Sequence, residues 1–185
     1  MGEPRWFFRS AEEWNAIAQR LKQTPCPHCH AVGTLIQHGF LRGFDESSKQ
    51  ATVRARRIYC SNRNARRGCG RTFSIWRADK IRRLSLTTHG LWRFLQHAVA
   101  GSLAAALRAS DCPRSDRTWL RLWKRFHHAQ CHIRTALLRL CPPPEISAPL
   151  PRRPAAQVLA HLQAAFPNAP CPVAAFQQAT RTFFL

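Results

Sequence analysis

Two cysteine pairs constrain what residues 26–73 can become. The first lies in Cys26-Pro27-His28-Cys29; the second is Cys60 with the Cys69 of Gly68-Cys69-Gly70-Arg71-Thr72-Phe73. A Cys-x-x-Cys turn places two sulfurs on one side of an ion, and a second knuckle at the far end of a folded-back hairpin completes a tetrahedron. Cys26, Cys29, Cys60 and Cys69 are therefore the predicted ligands of a structural zinc ion. The second pair departs from the usual spacing, with eight residues between its cysteines instead of two. Residues 62–67 then bulge as an Arg-rich loop, and glycines flank Cys69 as a tight knuckle needs. His28 and His30 are substitute ligands in poorer register. Four buried free thiols are the competing reading, and pairing at two places argues against it. A redox pair needs a strand–helix setting and leaves Cys60 and Cys69 unexplained. His128, Cys131 and His132 share one side of a helix, with no evident fourth ligand.

Charge points to the partner. The formal net charge is +20, with 25 Arg against 4 Lys. Arginine presents a planar fork that matches phosphate and guanine edges, whereas lysine is a point charge. Such a chain repels itself unless a polyanion neutralises it. Nucleic acid, double-stranded DNA first, is the expected partner. An anionic membrane surface is the alternative, but no stretch is long and apolar enough to span a bilayer. Residues 1–20 carry Glu3, Glu12 and Glu13 and do not read as a signal peptide. Eight cysteines without an export signal suit thiols or metal ligands, so a cytoplasmic protein is expected. Between Lys49 and Arg83 stand twelve basic residues and one acid, Asp79. Arg54, Arg56, Arg63, Arg66, Arg67, Arg71, Arg82 and Arg83 are predicted phosphate contacts on that scaffold.

The periodicities predict an α+β fold: a small antiparallel β zinc ribbon, then a mainly helical module, a Pro-rich linker and a short helical tail. Ser10 and Glu13 fit a capping box before a helix over 11–22. Residues 34–44 and 51–59 read as antiparallel strands joined by a polar turn at 45–49, with a third strand over 72–76. A helix over 87–100 ends at Gly101, and Ser102 caps a second carrying Leu103, Ala106 and Leu107. Ser110-Asp111-Cys112-Pro113 makes a turn. A third helix opens near Arg114 with Trp119, Leu122, Trp123 and Phe126 on its apolar side. It either runs on, or breaks and restarts, through Ile133 and Leu137. Six prolines in residues 142–154 mark the linker, and short helices follow over 155–166 and 173–179. The expected divisions are an N-terminal helix (1–23), the ribbon (24–77), a helical domain (84–141), the linker (142–154) and the tail (155–185).

Helix, Gly-Ser break, short alanine-rich helix, turn and Arg/Trp-rich helix outline a helix-turn-helix. Arg114, Ser115, Arg117, Thr118 and Arg121 lie opposite the apolar face of the third helix, where a reading helix contacts the major groove. A plain helical bundle with solvated arginines is the alternative. Cys-Pro-His-Cys, Arg57-Ile58-Tyr59-Cys60, Cys69-Gly70-Arg71-Thr72-Phe73 and the helices after them resemble the N-terminal region of bacterial insertion-sequence transposases. The resemblance covers about residues 24–140. It implies a zinc ribbon with a helix-turn-helix that binds the ends or promoter of a mobile element. It also implies a ribonuclease H-type domain with three metal-binding acids, and here the chain departs. After the ribbon stand only Asp79, Asp111, Asp116 and Glu145, with no strand-rich region around them. A non-catalytic DNA-binding protein is thus expected, with strand transfer left to a separate transposase or recombinase. Competing expectations are an RNA-binding ribbon protein and an adaptor acting through residues 155–185.

Overall fold

Ser10 opens the first helix as expected: its hydroxyl accepts the Glu13 N–H at 3.2 Å. The Glu13 carboxylate reaches back one residue further than in a standard capping box, to the Arg9 N–H at 2.8 Å. The structure is a computed structural model that describes residues 6–44, 50–64, 67–82, 84–109, 115–145 and 154–185. The turn at 45–49, the turn at 110–113 with Arg114 after it, and the part of the linker at 146–153 lie outside them. The chain divides into two compact units, Met1–Lys80 and Ile81–Leu185.

The first unit is α+β. Strand β1 (Trp6–Phe8) precedes helix α1 (Ala11–Arg20), followed by β2 (Leu35–Phe44), β3 (Ala51–Cys60) and β4 (Thr72–Arg77). The sheet order is β1-β4-β3-β2. β2, β3 and β4 pair antiparallel as expected, but β1 runs parallel to β4, with Trp6 opposite Ile75 and Phe8 opposite Arg77. The sheet is therefore mixed rather than antiparallel. Three residues are too few to show a period, and parallel pairing is settled by partners distant in sequence. Phe8, Trp14, Leu21, Leu35, Ile58, Phe73 and Ile75 close the core around the buried Cys26 and Cys60.

The second unit is helical: α2 (Thr88–Ala100), α3 (Leu103–Ala109), α4 (Asp116–Leu137), α5 (Pro154–Ala165) and α6 (Pro172–Thr180). Thr87 caps α2 by accepting the Gly90 N–H at 3.0 Å. α4 runs unbroken through the stretch where a restart was possible. Its apolar stripe of Trp119, Leu122, Phe126, Ile133 and Leu137 is buried. Phe94 of α2 stacks on Trp119 with ring centroids 4.5 Å apart. The segment expected as a tail shares this core: Val158, Leu162, Val173, Phe176 and Phe184 join Leu91, Trp119 and Phe126 in one cluster.

Candidate metal centre

Both ends of the β2–β3 hairpin deliver sulfurs to one point. Cys26 and Cys29 come from the turn after α1. In that turn the His30 N–H bonds the Cys26 carbonyl at 2.9 Å and the Cys26 N–H bonds the Ala31 carbonyl at 3.0 Å. His30 sits at φ +60°, the left-handed geometry that reverses the chain after the second cysteine. Cys60 is the last residue of β3, and Cys69 returns on the loop that leads into β4. That loop is closed by the Gly70 N–H on the Cys60 carbonyl at 3.0 Å and the Cys60 N–H on the Arg71 carbonyl at 2.9 Å. The six extra residues between these cysteines therefore leave the closing turn intact.

The four sulfurs lie within 4.8 Å of one another. Cys26 Sγ is 3.9 Å from Cys69 Sγ, and Cys29 Sγ is 3.7 Å from Cys60 Sγ. A disulfide needs about 2.05 Å, so these are thiols. A tetrahedron with metal–sulfur bonds of about 2.3 Å has edges of about 3.8 Å, and both separations match it. The four cysteines can hold a metal ion. His28 and His30 are not needed to complete the shell, and they stand outside the cluster. Neither do His128, Cys131 and His132 form one; His132 Nε2 instead lies 3.4 Å from the Phe183 carbonyl.

Hydrogen-bond donors converge on the sulfurs. The His28 N–H points at Cys26 Sγ at 3.4 Å, and the Cys69 N–H at Cys60 Sγ at 3.3 Å. The Thr34 hydroxyl lies 3.1 Å from Cys60 Sγ. Such donors stabilise thiolate charge and orient ligands before an ion arrives. The thiols are not equivalent. Burial pushes Cys26 up to about 12 and raises Cys69. The Ala31 N–H holds the exposed Cys29 down to about 7.

The predicted nucleic-acid contacts divide by setting. Arg63, Arg67 and Arg71 are exposed on or beside the Cys60–Cys69 loop. Arg54 is buried, 8% exposed, and donates to the Phe44 carbonyl. The register slips between Leu41, opposite Ala55, and Arg42, opposite Val53, so that Arg54 falls at a β-bulge. Arg56 is half-buried between Trp14 and Phe40. Arg82, in the second unit, lies 4.9 Å over the Phe183 ring. Ser115, Arg117 and Arg121 are exposed at the start of α4, and Thr118 is half-buried. The Ser115 and Thr118 hydroxyls are 3.1 Å apart. Arg66, Arg83 and Arg114 lie outside the described residues. Sequence reasoning stopped at Arg121, but Lys124 and Arg125 are exposed further along the same helix. The helical period carried past Arg121 was the signal for them.

Among the described residues, no helix is long and apolar enough to cross a membrane. Comparison with protein-family models, with curated proteins and with solved structures finds no match to the chain.

Proposed function

We propose that the chain is a non-catalytic, double-stranded-DNA-binding protein, with a zinc ion stapling its first unit and the first turns of α4 reading the duplex. Zinc is the ion that suits four thiolates held as a tetrahedron with no position left open. The observation that carries the DNA reading is the surface of α4. Arg117, Arg121, Lys124 and Arg125 are all exposed, and Asp116 is the helix's single acid. With Trp119, Leu122 and Phe126 committed to the core, these cations are not needed for packing. The ribbon's resemblance to insertion-sequence transposases suggests that the target is the end or promoter of a mobile element. The chemistry on the DNA would then belong to a separate recombinase.

The test is fluorescence anisotropy of the zinc-loaded chain with a random-sequence duplex across a salt series. Each lost phosphate contact flattens the slope of log affinity against log salt by about one. Arg117→Ala/Arg121→Ala is expected to weaken duplex binding at least roughly ten-fold and to flatten the slope by about two. Wild-type affinity in that variant, or preference for single-stranded RNA at matched salt, refutes the reading.

A further inference from the structure

The outer strand of the sheet carries two large rings in the open. Phe40 is 47% exposed and Phe44 61% exposed, both on β2. Burying either would be favourable, and nothing in the first unit's core requires them. Yet each is held. Phe40 lies across the ladder from Arg56, whose guanidinium carbon is 4.6 Å from its ring centroid and 5.0 Å from that of Trp14. The Arg42 guanidinium carbon is 6.0 Å from the centroid of the Phe40 ring. The buried Arg54 donates to the Phe44 main-chain carbonyl. Gly43 leaves the room for that reach, since a Cβ there would lie 2.5 Å from Arg54 Nε. The buried Arg54 thus fixes the backbone at the residue that carries the exposed ring.

Trp14, Arg56, Phe40, Arg42 and Phe44 thus alternate ring and cation. At the Trp14 end the stripe meets a cleft of about 130 Å³ that Arg9, Arg56 and Arg77 also line. Arg9 is paired with Glu13 and Arg77 with Asp79. Arg56 Nε is buried with no hydrogen-bond partner among the described residues. Rings spaced by guanidinium groups, beside a cleft that Arg56 lines, match the alternation of base and phosphate in an unpaired strand. A protein partner docking on the edge strand would use its apolar rings but leave Arg42, Arg56 and the cleft without complementary charge.

We infer that this face of β2 and β3 binds single-stranded DNA, stacking bases on Phe44 and Phe40 and taking a backbone phosphate at Arg56. The inference rests on the proposed function only in taking the strand to be DNA; the duplex-reading residues of α4 have no part in it.

Anisotropy of the zinc-loaded full chain with a labelled oligothymidylate is the test, with 2-aminopurine quenching as the stacking readout. Phe44→Ala is expected to weaken binding roughly ten-fold and to reduce the quench, leaving only the part due to Phe40. Phe44→Leu, which keeps apolar bulk without a stacking ring, should behave the same, and Phe44→Trp should bind like the wild type. Zinc content and duplex affinity should not change in any of the three, because the ring is exposed. Wild-type binding by Phe44→Ala or by Phe44→Leu overturns the inference. So does tighter binding of oligouridylate than of oligothymidylate, or a dimer of the chain that Phe44→Ala dissociates without any single-strand binding. Loss of duplex binding with a Phe44-sensitive oligothymidylate complex would sink the proposed function and leave this inference standing. The reverse pattern would do the opposite.

Discussion

Cys26 and Cys29 are separated by two residues, and their local environments pull their thiols in opposite directions. Cys26 is fully buried, and without a metal its proton is held up to about 12. Cys29 is exposed and, facing the Ala31 N–H, loses its proton near 7. The signs follow from linkage. Relative to an ordinary thiol near 9, the metal-free fold favours protonated Cys26, so that contribution is present below about 9 and is lost as pH rises toward 12. Cys29 contributes in the other sense: its share is present above about 9 and is lost as pH falls through about 7. A metal ion needs all four thiolates, so loading must displace the protons of Cys26 and Cys69 at neutral pH. Zinc titration by calorimetry in buffers of differing ionisation enthalpy is expected to show at least two protons released per ion, with affinity falling steeply as pH drops below 7. Release of fewer than two would mean that Cys26 or Cys69 is not a ligand.

The loop from Cys60 to Cys69 carries two of the four sulfurs of the candidate metal centre. A Cβ at Gly68 would lie 2.2 Å from the Ser61 carbonyl oxygen and 2.9 Å from Cys60 Sγ. These are backbone and ligand atoms, which cannot swing away. Gly68→Ala is expected to cost about 1–3 kcal/mol by overpacking and to weaken zinc about ten-fold or more in competition with a chelator. Gly33→Ala is the contrast: φ is +81° but nothing lies within 4 Å, so it costs only backbone strain, roughly 1 kcal/mol. Gly68 could be read from the sequence, because a glycine beside a knuckle cysteine has a local reason. So could the Ser10 cap, and the helical period that buries Trp119 and Phe126. β1 could not, since Trp6–Phe8 becomes a strand only through β4, nearly seventy residues away. Nor could the inward turn of Arg54, which depends on one slipped register across the β2–β3 ladder. The prolines of residues 142–154 mark a break in the periodic pattern, but a break in sequence does not tell whether the helices beyond it join the preceding core.

At the scale of the whole molecule, the two units are held by different means. The first packs Phe8, Trp14, Leu21, Leu35, Ile58, Phe73 and Ile75 around two of the four cysteines, and its other side chains are rich in charge. A core that small gives little stability by itself, and metal binding can add an apparent 10–16 kcal/mol or so at neutral pH in small zinc modules. The second unit gathers the apolar faces of five helices into one larger cluster, from Leu91 through Trp119 to Phe184, with no need of an ion. Removing zinc should therefore act on one unit and spare the other. Hydrogen exchange with mass spectrometry on the full chain, before and after addition of a strong chelator, checks this. Protection is expected to collapse across β2, β3 and β4 and to persist in α2, α4 and α5. Simultaneous loss in both would mean that the units fold as one cooperative body. Retained protection in the sheet would mean that the seven apolar side chains suffice and the cysteines serve some purpose other than folding.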